Sequence, residues 1–441
     1  MSNTLLTVSK ITNEMLMVLE NECVLVGQIC RDYDDQFAVT GAKIGAVVNV
    51  RKPARFKGTL GPGLNVEDFN ETSIPVALTK QFHVDTQFTT ADLALSLDEF
   101  SDRVVKPVVA TIANKLDFDG AVAGYQAIAN TVGVPGSSPT GALPWLQAGA
   151  LLDSEAVPRD DKHRIVMDPW SQAATVDSLK GLFNPQGALS NQWTKGQMGA
   201  NTLGFDWFMD QNVVSYTVGA QGGSPVFTTT GTSTALLTTG WADNGTLQTS
   251  GWTAAAAARM NVGDVFTIAN VYLVNPQSRA PVGPNRLRQF VVRAATGVSL
   301  TQGTFAPTFD VDGTTVTGGT YSSSGAGALT ISIAPAIISG GQFQNVNAAP
   351  INNAAITVLG TAGTVSPQCL AFHRNFLTLA TADLPLPEGV HFAGRASTKK
   401  GGYSIRIVRQ YTINNDSLPC RADVLYGFSP LYRELGTRVA G

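Results

Sequence analysis

The chain has 441 residues, and 44% of them are apolar, which is enough to bury cores in two or three domains and excludes a disordered chain. Thirty basic residues nearly balance 33 acidic ones, and the resulting net charge of −3 excludes a general attraction to nucleic acid. The sequence shows no secretion signal and no apolar run of roughly 18 residues, so we expect a soluble, unsecreted protein that does not enter a membrane.

Residues 11–29 predict a helical N-terminal arm. Apolar residues recur there at helical spacing, and Thr12 or Asn13 is the expected N-cap. The arm has an excess of acidic side chains, among them Glu14, Glu20 and Glu22. These acids fit either a solvated helix face or a site for a basic partner.

Residues 41–88 predict a long hairpin. One limb runs out near residues 44–56, a turn rich in Gly and Pro follows, and a second limb returns over residues 73–88 with a strand alternation that Lys80 interrupts. A two-stranded hairpin is marginal on its own in water, so we expect it to pack on another surface, which a neighbouring subunit could supply.

The outgoing limb carries the densest basic cluster of the chain, namely Arg51, Lys52, Arg55 and Lys57. Nucleic-acid binding is disfavoured there, because Phe56 is the only interleaved aromatic residue and acidic residues follow in the turn. The cluster therefore fits a solvated hairpin tip or, as we prefer, a charged contact with a neighbouring subunit.

Apolar residues recur every three or four positions after residue 96 and predict a helix over residues 98–130, which Pro107 should kink or restart. A shorter helix near residues 144–155, a strand at 163–168 and a helix after Pro169 form a mixed α/β segment.

Residues 219–363 are rich in Gly, Thr, Ser, Ala and Asn, and no Glu occurs between Glu155 and Glu388. This change in composition predicts an inserted module. A small antiparallel barrel or sandwich is indicated by strand patterns at 264–274, 288–295, 328–337 and 354–360. Further strands are predicted at 375–384, 403–413 and 420–428.

The sequence predicts no catalytic residue, no cofactor and no metal site. The four histidines are not spaced for metal binding, and the four cysteines are too scattered for zinc or a disulfide scaffold, so we expect buried, reduced thiols. Two Asp-x-Asp-Gly strings, at 117–120 and 310–313, lack the glutamate that completes a calcium loop. Nucleophile-elbow, phosphate-loop and dinucleotide-binding motifs are absent from the sequence. The protein is therefore expected not to be an enzyme.

A resemblance to a known family is carried by TTADLALSLDEFSDRVVKPVVATIAN at 89–114, GFDWFMDQNV at 204–213, GDVFTIANVYLVNPQ at 263–277 with RQFVV at 288–292, and SLPCRADVLYGFSPLYRE at 417–434. In this order, and over essentially the whole chain, these blocks resemble the major capsid proteins of tailed phages that share the Johnson fold. More narrowly, the chain is similar to the branch with an inserted domain, typified by the coat protein of the Salmonella short-tailed phage.

The resemblance implies an α+β, Johnson-type fold in five parts. These are an N-terminal arm at 1–36, an extended loop hairpin at 37–87, a peripheral domain with a spine helix at 88–140 and 396–441, an axial domain at 141–217 and 364–395, and an inserted small antiparallel β-barrel domain at 218–363. The family's charged bridging loop has no evident counterpart in the insertion domain, since residues 238–252 hold one charge, Asp243.

The function that the resemblance implies is that of a major capsid protein. Hexamers and pentamers of one chain would tile an icosahedral head around double-stranded DNA, by way of a scaffold-dependent precursor that expands on maturation. The implied partners are further copies of the chain, a scaffolding protein, a portal protein and DNA held by weak non-specific contacts, while a decoration protein stays an open question. The implied location is the virion, with assembly in the host cytoplasm.

The resemblance also gives roles to the two charged sets. Family members recruit their scaffold through acidic residues near the arm, which makes Glu14, Glu20 and Glu22 the scaffold-interaction candidates. The basic cluster of residues 51–57 falls within the extended loop and supplies the candidates for contact between subunits.

Two other interpretations stay open. The Gly/Thr-rich insert is also typical of an adhesin or surface-layer protein, although the missing secretion signal and the long internal helix speak against it. A bacterial nanocompartment subunit shares the Johnson fold, but those shells usually lack an insertion domain and assemble without a scaffold.

Overall fold

The computed structural model describes residues 8–31, 47–67, 71–89, 106–179, 202–254, 258–283, 286–293, 308–309, 315–316, 320–322, 324–397, 402–415 and 417–441. The described helices are α1 Val8–Glu22, α2 Leu25–Gln28, α3 Lys106–Ala127, α4 Leu143–Ser154 and α5 Pro169–Leu179, with 3-10 turns at Ile413–Asn415 and Arg433–Leu435.

The described strands are β1 Val47–Lys52, β2 Thr72–Ala77, β3 Lys80–Thr89, β4 Thr131–Val132, β5 His163–Met167, β6 Asp206–Met209, β7 Ser215–Thr217, β8 Gly223–Phe227, β9 Leu236–Leu237, β10 Gly245–Trp252, β11 Ala258–Asn261, β12 Val265–Tyr272, β13 Leu287–Arg293, β14 Thr308–Phe309, β15 Thr315–Val316, β16 Thr320–Ser322, β17 Leu329–Ala334, β18 Ile337–Ile338, β19 Ile356–Val358, β20 Val365–Pro367, β21 Cys369–His373, β22 Leu377–Ala382, β23 Phe392–Ser397, β24 Ser404–Arg409, β25 Ser417–Pro430 and β26 Gly436–Val439.

The chain forms two compact units. The first unit is built from Met1–Val50, Ser73–Gly120 and Leu377–Leu431, and the second from Arg51–Thr72, Ala121–Phe376 and Tyr432–Gly441. Each unit is therefore assembled from segments that are far apart in the sequence.

An antiparallel five-stranded sheet is the centre of the first unit. Its longest strand, β25, pairs along one edge with β3 and along the other with β22 and then β24, which in turn pairs with β23. Ala422, Val424 and Tyr426 are buried on one face of β25. Asp423, on the opposite face, is also fully buried, and Arg406 donates two hydrogen bonds to its carboxylate, at 2.9 and 2.5 Å.

The predicted helical arm is present but is broken near its end. α1 packs on β23 and β24 through its apolar face, and the helix stops before Val24. The carboxylate of Asp117, on α3, accepts hydrogen bonds from the backbone N–H groups of Val24 at 2.7 Å and Val26 at 2.8 Å. These bonds satisfy donors that a helix break would otherwise leave unpaired.

The predicted N-cap of the arm is wrong. Helix α1 already includes Val8, so Thr12 and Asn13 lie inside it, and Thr12 is buried. A cap-forming residue type shows that a helix could begin there, but it carries no information on whether the residues before it are already helical.

The predicted hairpin is confirmed only in its first half. β1 pairs with β2 in a two-stranded sheet, as expected. The rest of the predicted return limb is a separate strand, β3, which pairs with β25 of the same chain, so the prediction of one continuous limb was wrong. The alternation breaks only at Lys80, which is the residue where β3 begins, and this break was not interpreted as a change of partner strand.

The inserted segment forms an antiparallel sheet in the order β19-β12-β13-β17-β10-β8. The two outer strands meet at one bridge between Val226 and Ala355, and the backbone N–H of Phe227 donates to the carbonyl of Ala354 at 2.8 Å, so the sheet closes into a small barrel. The four predicted strands are confirmed, whereas β8 and β10 were missed. The interior is filled by side chains such as Phe266 and Phe290.

A second sheet of this unit has the order β4-β26-β21-β5-β6 and mixes parallel with antiparallel pairs. Helix α4 packs on β4, β21 and β26 and buries Trp145, whose ring meets that of Trp207 edge-on at 5.2 Å. The predicted strand at 163–168 and the two neighbouring helices are confirmed as β5, α4 and α5.

Other predictions had mixed outcomes. Helix α3 buries Val108, Ile112 and Leu116 as predicted and carries Pro107 in its first turn, while residues 98–105 of the predicted helix lie outside the described residues. All four cysteines are free thiols, but Cys420 is partly exposed, so the prediction that all are buried was wrong.

None of the described helices is long and apolar enough to span a membrane.

Replacing Asp117 with Ala tests the junction between the arm and α3. We expect the free energy of unfolding to fall by about 2–4 kcal/mol, because the backbone N–H groups of Val24 and Val26 lose their acceptor. The hydrogen bond of Val26 is buried, so water cannot easily replace the carboxylate. Urea titration followed by circular dichroism measures the loss. The control Glu20→Ala removes an exposed carboxylate of α1 and should change the free energy by less than about 0.5 kcal/mol. Equal stability of the two variants would contradict the role given to Asp117.

Candidate assembly surfaces

The three candidate acids of the arm lie on α1. Glu20 and Glu22 are exposed in its last turn, whereas Glu14 is half-buried. The C-terminal end of a helix carries a partial negative charge and disfavours anions by about 0.3–1 kcal/mol each. No basic residue occupies this last turn. Glu20 and Glu22 are therefore repelled by the negative end of α1, and a cationic partner would offset this repulsion.

The predicted basic cluster divides into two pairs. Arg51 is exposed and forms an ion pair with Glu71 at 3.3 Å, and Lys57 is exposed as well. Lys52 and Arg55 are half-buried and meet the 3-10 turn at the end of the chain. The exposed pair is available to a neighbour, while the half-buried pair serves contacts within the chain.

The loop that follows β1 is anchored at its base and exposed at its tip. Arg279 donates to the carbonyls of Phe56 at 2.7 Å and Lys57 at 3.1 Å, and Glu67 accepts from the backbone N–H of Lys57 at 2.6 Å. Beyond this anchor Leu60 and Leu64 are almost completely exposed. Apolar side chains exposed in this way are available for contact with a partner.

Asp243, which is the only charge in residues 238–252, forms an ion pair with Arg433. Arg433 donates to both carboxylate oxygens of Asp243, at 2.8 and 2.5 Å. Burial alone would raise the pKa of Asp243, but the hydrogen bonds and charge of Arg433, together with Lys52, lower it below its ordinary value. The pair joins residues 190 positions apart, and no local pattern in the sequence could have revealed it.

No role was predicted from the sequence for Glu434, the residue that follows Arg433. Its carboxylate accepts from Arg55 at 2.9 Å. Burial raises the pKa of Glu434, but the charges of Lys52 and Arg55 outweigh burial and leave the pKa lowered. The turn Arg433–Leu435 thus holds the root of the loop by opposite charges.

A further exposed surface lies at the ends of β5 and β6, which are parallel neighbours in register from Arg164 to Met167. The carboxylate of Asp168 caps α5 by accepting from the backbone N–H of Trp170 at 3.1 Å and of Ser171 at 3.2 Å. This cap fixes the start of the helix and leaves the Trp170 side chain 80% exposed. Met209, at the end of β6, is exposed too.

The two aspartates of the first Asp-x-Asp-Gly string have contacts within the fold. Asp119, in the first Asp-x-Asp-Gly string, accepts from Tyr426 at 2.6 Å and pairs with Lys80 at 2.8 Å, and Asp117 closes the arm as described above. The second string, at 310–313, lies outside the described residues. Within the described ranges no three His, Cys, Asp or Glu side chains are grouped to hold a metal ion.

Comparison with known families gives one match across the chain. The model of the family described as "P22 coat protein - gene protein 5" matches residues 2–441. No curated protein matches the sequence.

Three of the solved structures that match this chain are described as follows. A chain of Mycobacterium phage Che8 is 10% identical, with 95% of this chain and 90% of that chain covered and a TM-score of 0.38. The capsid of Cyanophage P-SCSP1u is 9% identical, with coverages of 93% and 88% and a TM-score of 0.42. A chain of Gordonia phage Cozz is 10% identical, with coverages of 93% and 87% and a TM-score of 0.37.

Replacing Asp243 with Asn tests the pair with Arg433. At neutral pH we expect the free energy of unfolding to fall by about 1–3 kcal/mol, because a charge-assisted hydrogen-bond pair is lost. The folded pKa of Asp243 lies below its ordinary 3.8, so its stabilisation is present above pH 3.8 and is lost as pH falls through the folded pKa.

Urea unfolding at neutral and strongly acidic pH measures this difference, which should shrink on acidification. The control Asp153→Asn breaks the exposed pair with Arg159 and should leave stability unchanged. A variant as stable as the parent at neutral pH would show that the Asp243 pair contributes nothing.

Proposed function

The chain belongs to the P22 coat protein family, and on this premise we propose that it builds a phage head as hexamers and pentamers, first on a scaffolding protein and then in a shell that expands as DNA enters. It is a major capsid protein and a structural component of the virion. The observation that carries this function is the family match over residues 2–441. The same match favours a coat protein over the adhesin and nanocompartment alternatives.

The proposed scaffold site is the acidic last turn of α1. Glu20 and Glu22 supply two exposed charges at a helix end that disfavours them, and the half-buried Glu14 adds a weaker contribution. Exposed ion pairs contribute about 0–1 kcal/mol each, so one contact of this kind is readily reversed. Many copies on one shell give the interaction its strength, which suits a scaffold that must later leave.

Reversing the charge of all three acids, as Glu14→Lys, Glu20→Lys and Glu22→Lys together, tests this site. We expect the scaffold content of assembled particles to fall several-fold, because a basic scaffold segment would meet like charge. Gel densitometry of purified particles measures the ratio of scaffold to coat. The control Glu388→Lys reverses an exposed acid elsewhere and should leave the ratio unchanged. A normal ratio in the triple variant would rule out this site.

Contacts between subunits are proposed at the extended loop and at Trp170. Arg51, Lys57 and the apolar residues Leu60 and Leu64 are exposed on the loop, where a second copy of the chain would cover them. An exposed tryptophan is costly in a soluble subunit and is typical of the centre of an interface. We therefore assign both surfaces to capsomer contacts.

Replacing Trp170 with Ser tests the second surface. We expect the coat concentration needed for assembly to rise about tenfold or more, because an interface tryptophan often contributes about 2 kcal/mol. Light scattering during assembly measures it, and circular dichroism of the unassembled subunit should be unchanged because the side chain is 80% exposed. Trp170→Phe keeps the apolar contact and should assemble almost normally. Unaltered assembly of the Ser variant would exclude Trp170 from the interface.

The remaining partners follow from the proposed shell. A portal protein would occupy one vertex, and a decoration protein could be added on the outside. DNA contacts would be weak and non-specific, since a net charge of −3 offers little release of counterions. We propose that the subunit has no catalytic role and that its assembly takes place in the host cytoplasm.

A further inference from the structure

A cavity of about 180 Å³ lies within the second unit. It is lined by the root of the extended loop, by residues 241–243 of the inserted segment, and by residues 432–434 near the end of the chain. At about 30 Å³ per water molecule it holds about six waters, or one small polar ligand.

The charges around this cavity do not balance. Its lining contains four cationic residues, Lys52, Arg55, Arg288 and Arg433, and three acidic residues, Glu155, Asp243 and Glu434. Each acid is paired with an arginine: Glu434 with Arg55, Asp243 with Arg433, and Glu155 with Arg288. One positive charge is left over, and it belongs to Lys52.

Lys52 has no carboxylate oxygen within 4.0 Å among the described residues. Its ammonium group lies instead over two rings, 4.7 Å from the centre of Tyr432 and 5.6 Å from that of Trp241. An ammonium has three N–H donors, and ring faces supply no lone pair to accept them. Among the described residues Lys52 thus has no carboxylate in direct contact; burial lowers its pKa, and the charges of Glu434 and Asp243 raise it by less.

A second cationic group of the lining is also incompletely satisfied. The Nε of Arg288 is buried and has no hydrogen-bond partner, and the Arg288 side chain is only 5% exposed. Burial raises the pKa of Glu155, its partner, against the effect of the Arg288 charge. Any loss of charge at Glu155 makes the surroundings of the cavity still more positive.

We propose that this cavity binds one small oxyanion of the phosphate class, with Lys52 as the main charged donor. The excess positive charge disfavours a cation, and the charged lining disfavours an apolar ligand. An oxyanion supplies several acceptors to ammonium and guanidinium donors, which form the strongest protein hydrogen bonds. The bound anion would join the loop root, the inserted segment and the terminal turn, and it would thereby stabilise the second unit.

Equilibrium dialysis of the full-length, unassembled subunit with radiolabelled inorganic phosphate, at constant ionic strength, tests the site. We expect saturable uptake of one phosphate per chain. At ten times the Kd, phosphate should lower the unfolding equilibrium constant by about 11-fold, since a ligand bound to the folded state stabilises by the factor 1 + [L]/Kd. Urea unfolding with and without phosphate measures this factor.

Three variants separate a built site from general attraction to basic residues. Lys52→Gln should weaken phosphate binding by at least about tenfold, because the variant loses a charge-assisted hydrogen bond to the anion. Lys52→Arg should retain binding, and Arg51→Gln, which changes the exposed neighbour on the same strand, should not alter it. No saturable binding to the parent protein, or equal binding by Lys52→Gln, would overturn the proposal. Because the parent is measured first, a variant that fails to fold does not remove the test.

Discussion

The first unit depends on the pairing of β25 with β3, a strand from a distant part of the chain, and with the nearer strands β22 and β24. Gln81 of β3 donates to Asp423 of β25 across 342 positions of sequence. Bringing such distant segments together costs conformational entropy before any contact is gained. The ten-residue register with β3 and the buried Asp423–Arg406 pair offset that cost. If Arg406 were lost, the buried carboxylate would keep Arg421 at 3.2 Å and Gln81 at 3.0 Å but would lose its two-point ion pair, which destabilises the sheet.

The second unit is held together in a different way. Its barrel closes by hydrogen bonds around an apolar interior, whereas the root of the extended loop is held by charges on the terminal turn. Charged contacts are directional, and they depend on pH and salt more than apolar packing does. The position of the loop root should therefore depend on pH and salt more than the barrel does.

Much of this architecture could be predicted from periodicity alone. The barrel strands β12, β13, β17 and β19 and the closing strands β22, β24 and β25 appear where the sequence pattern placed them. β8 and β10 were missed since Gly, Thr and Ser residues obscure their alternation. The hairpin was misjudged at β3 because periodicity shows that a residue is in a strand and says nothing about its partner.

The charged residues could be predicted less well than the strands. Composition located Glu20, Glu22 and the basic cluster, but it could not show that Lys52 and Arg55 turn towards the chain's own terminal turn. Asp243 looked isolated because its partner, Arg433, lies in a distant segment. Pairing of this kind is decided by the tertiary fold, and a single sequence has no local signal for it.

We propose that copies of this chain close into shells under the direction of a scaffold. Sedimentation velocity of the protein, expressed with and without a scaffolding protein, tests this assembly, and electron microscopy identifies the particles. We expect uniform closed shells with the scaffold, and unassembled subunits or irregular particles without it. A stable monomer under both conditions, or uniform shells from the chain alone, would contradict it.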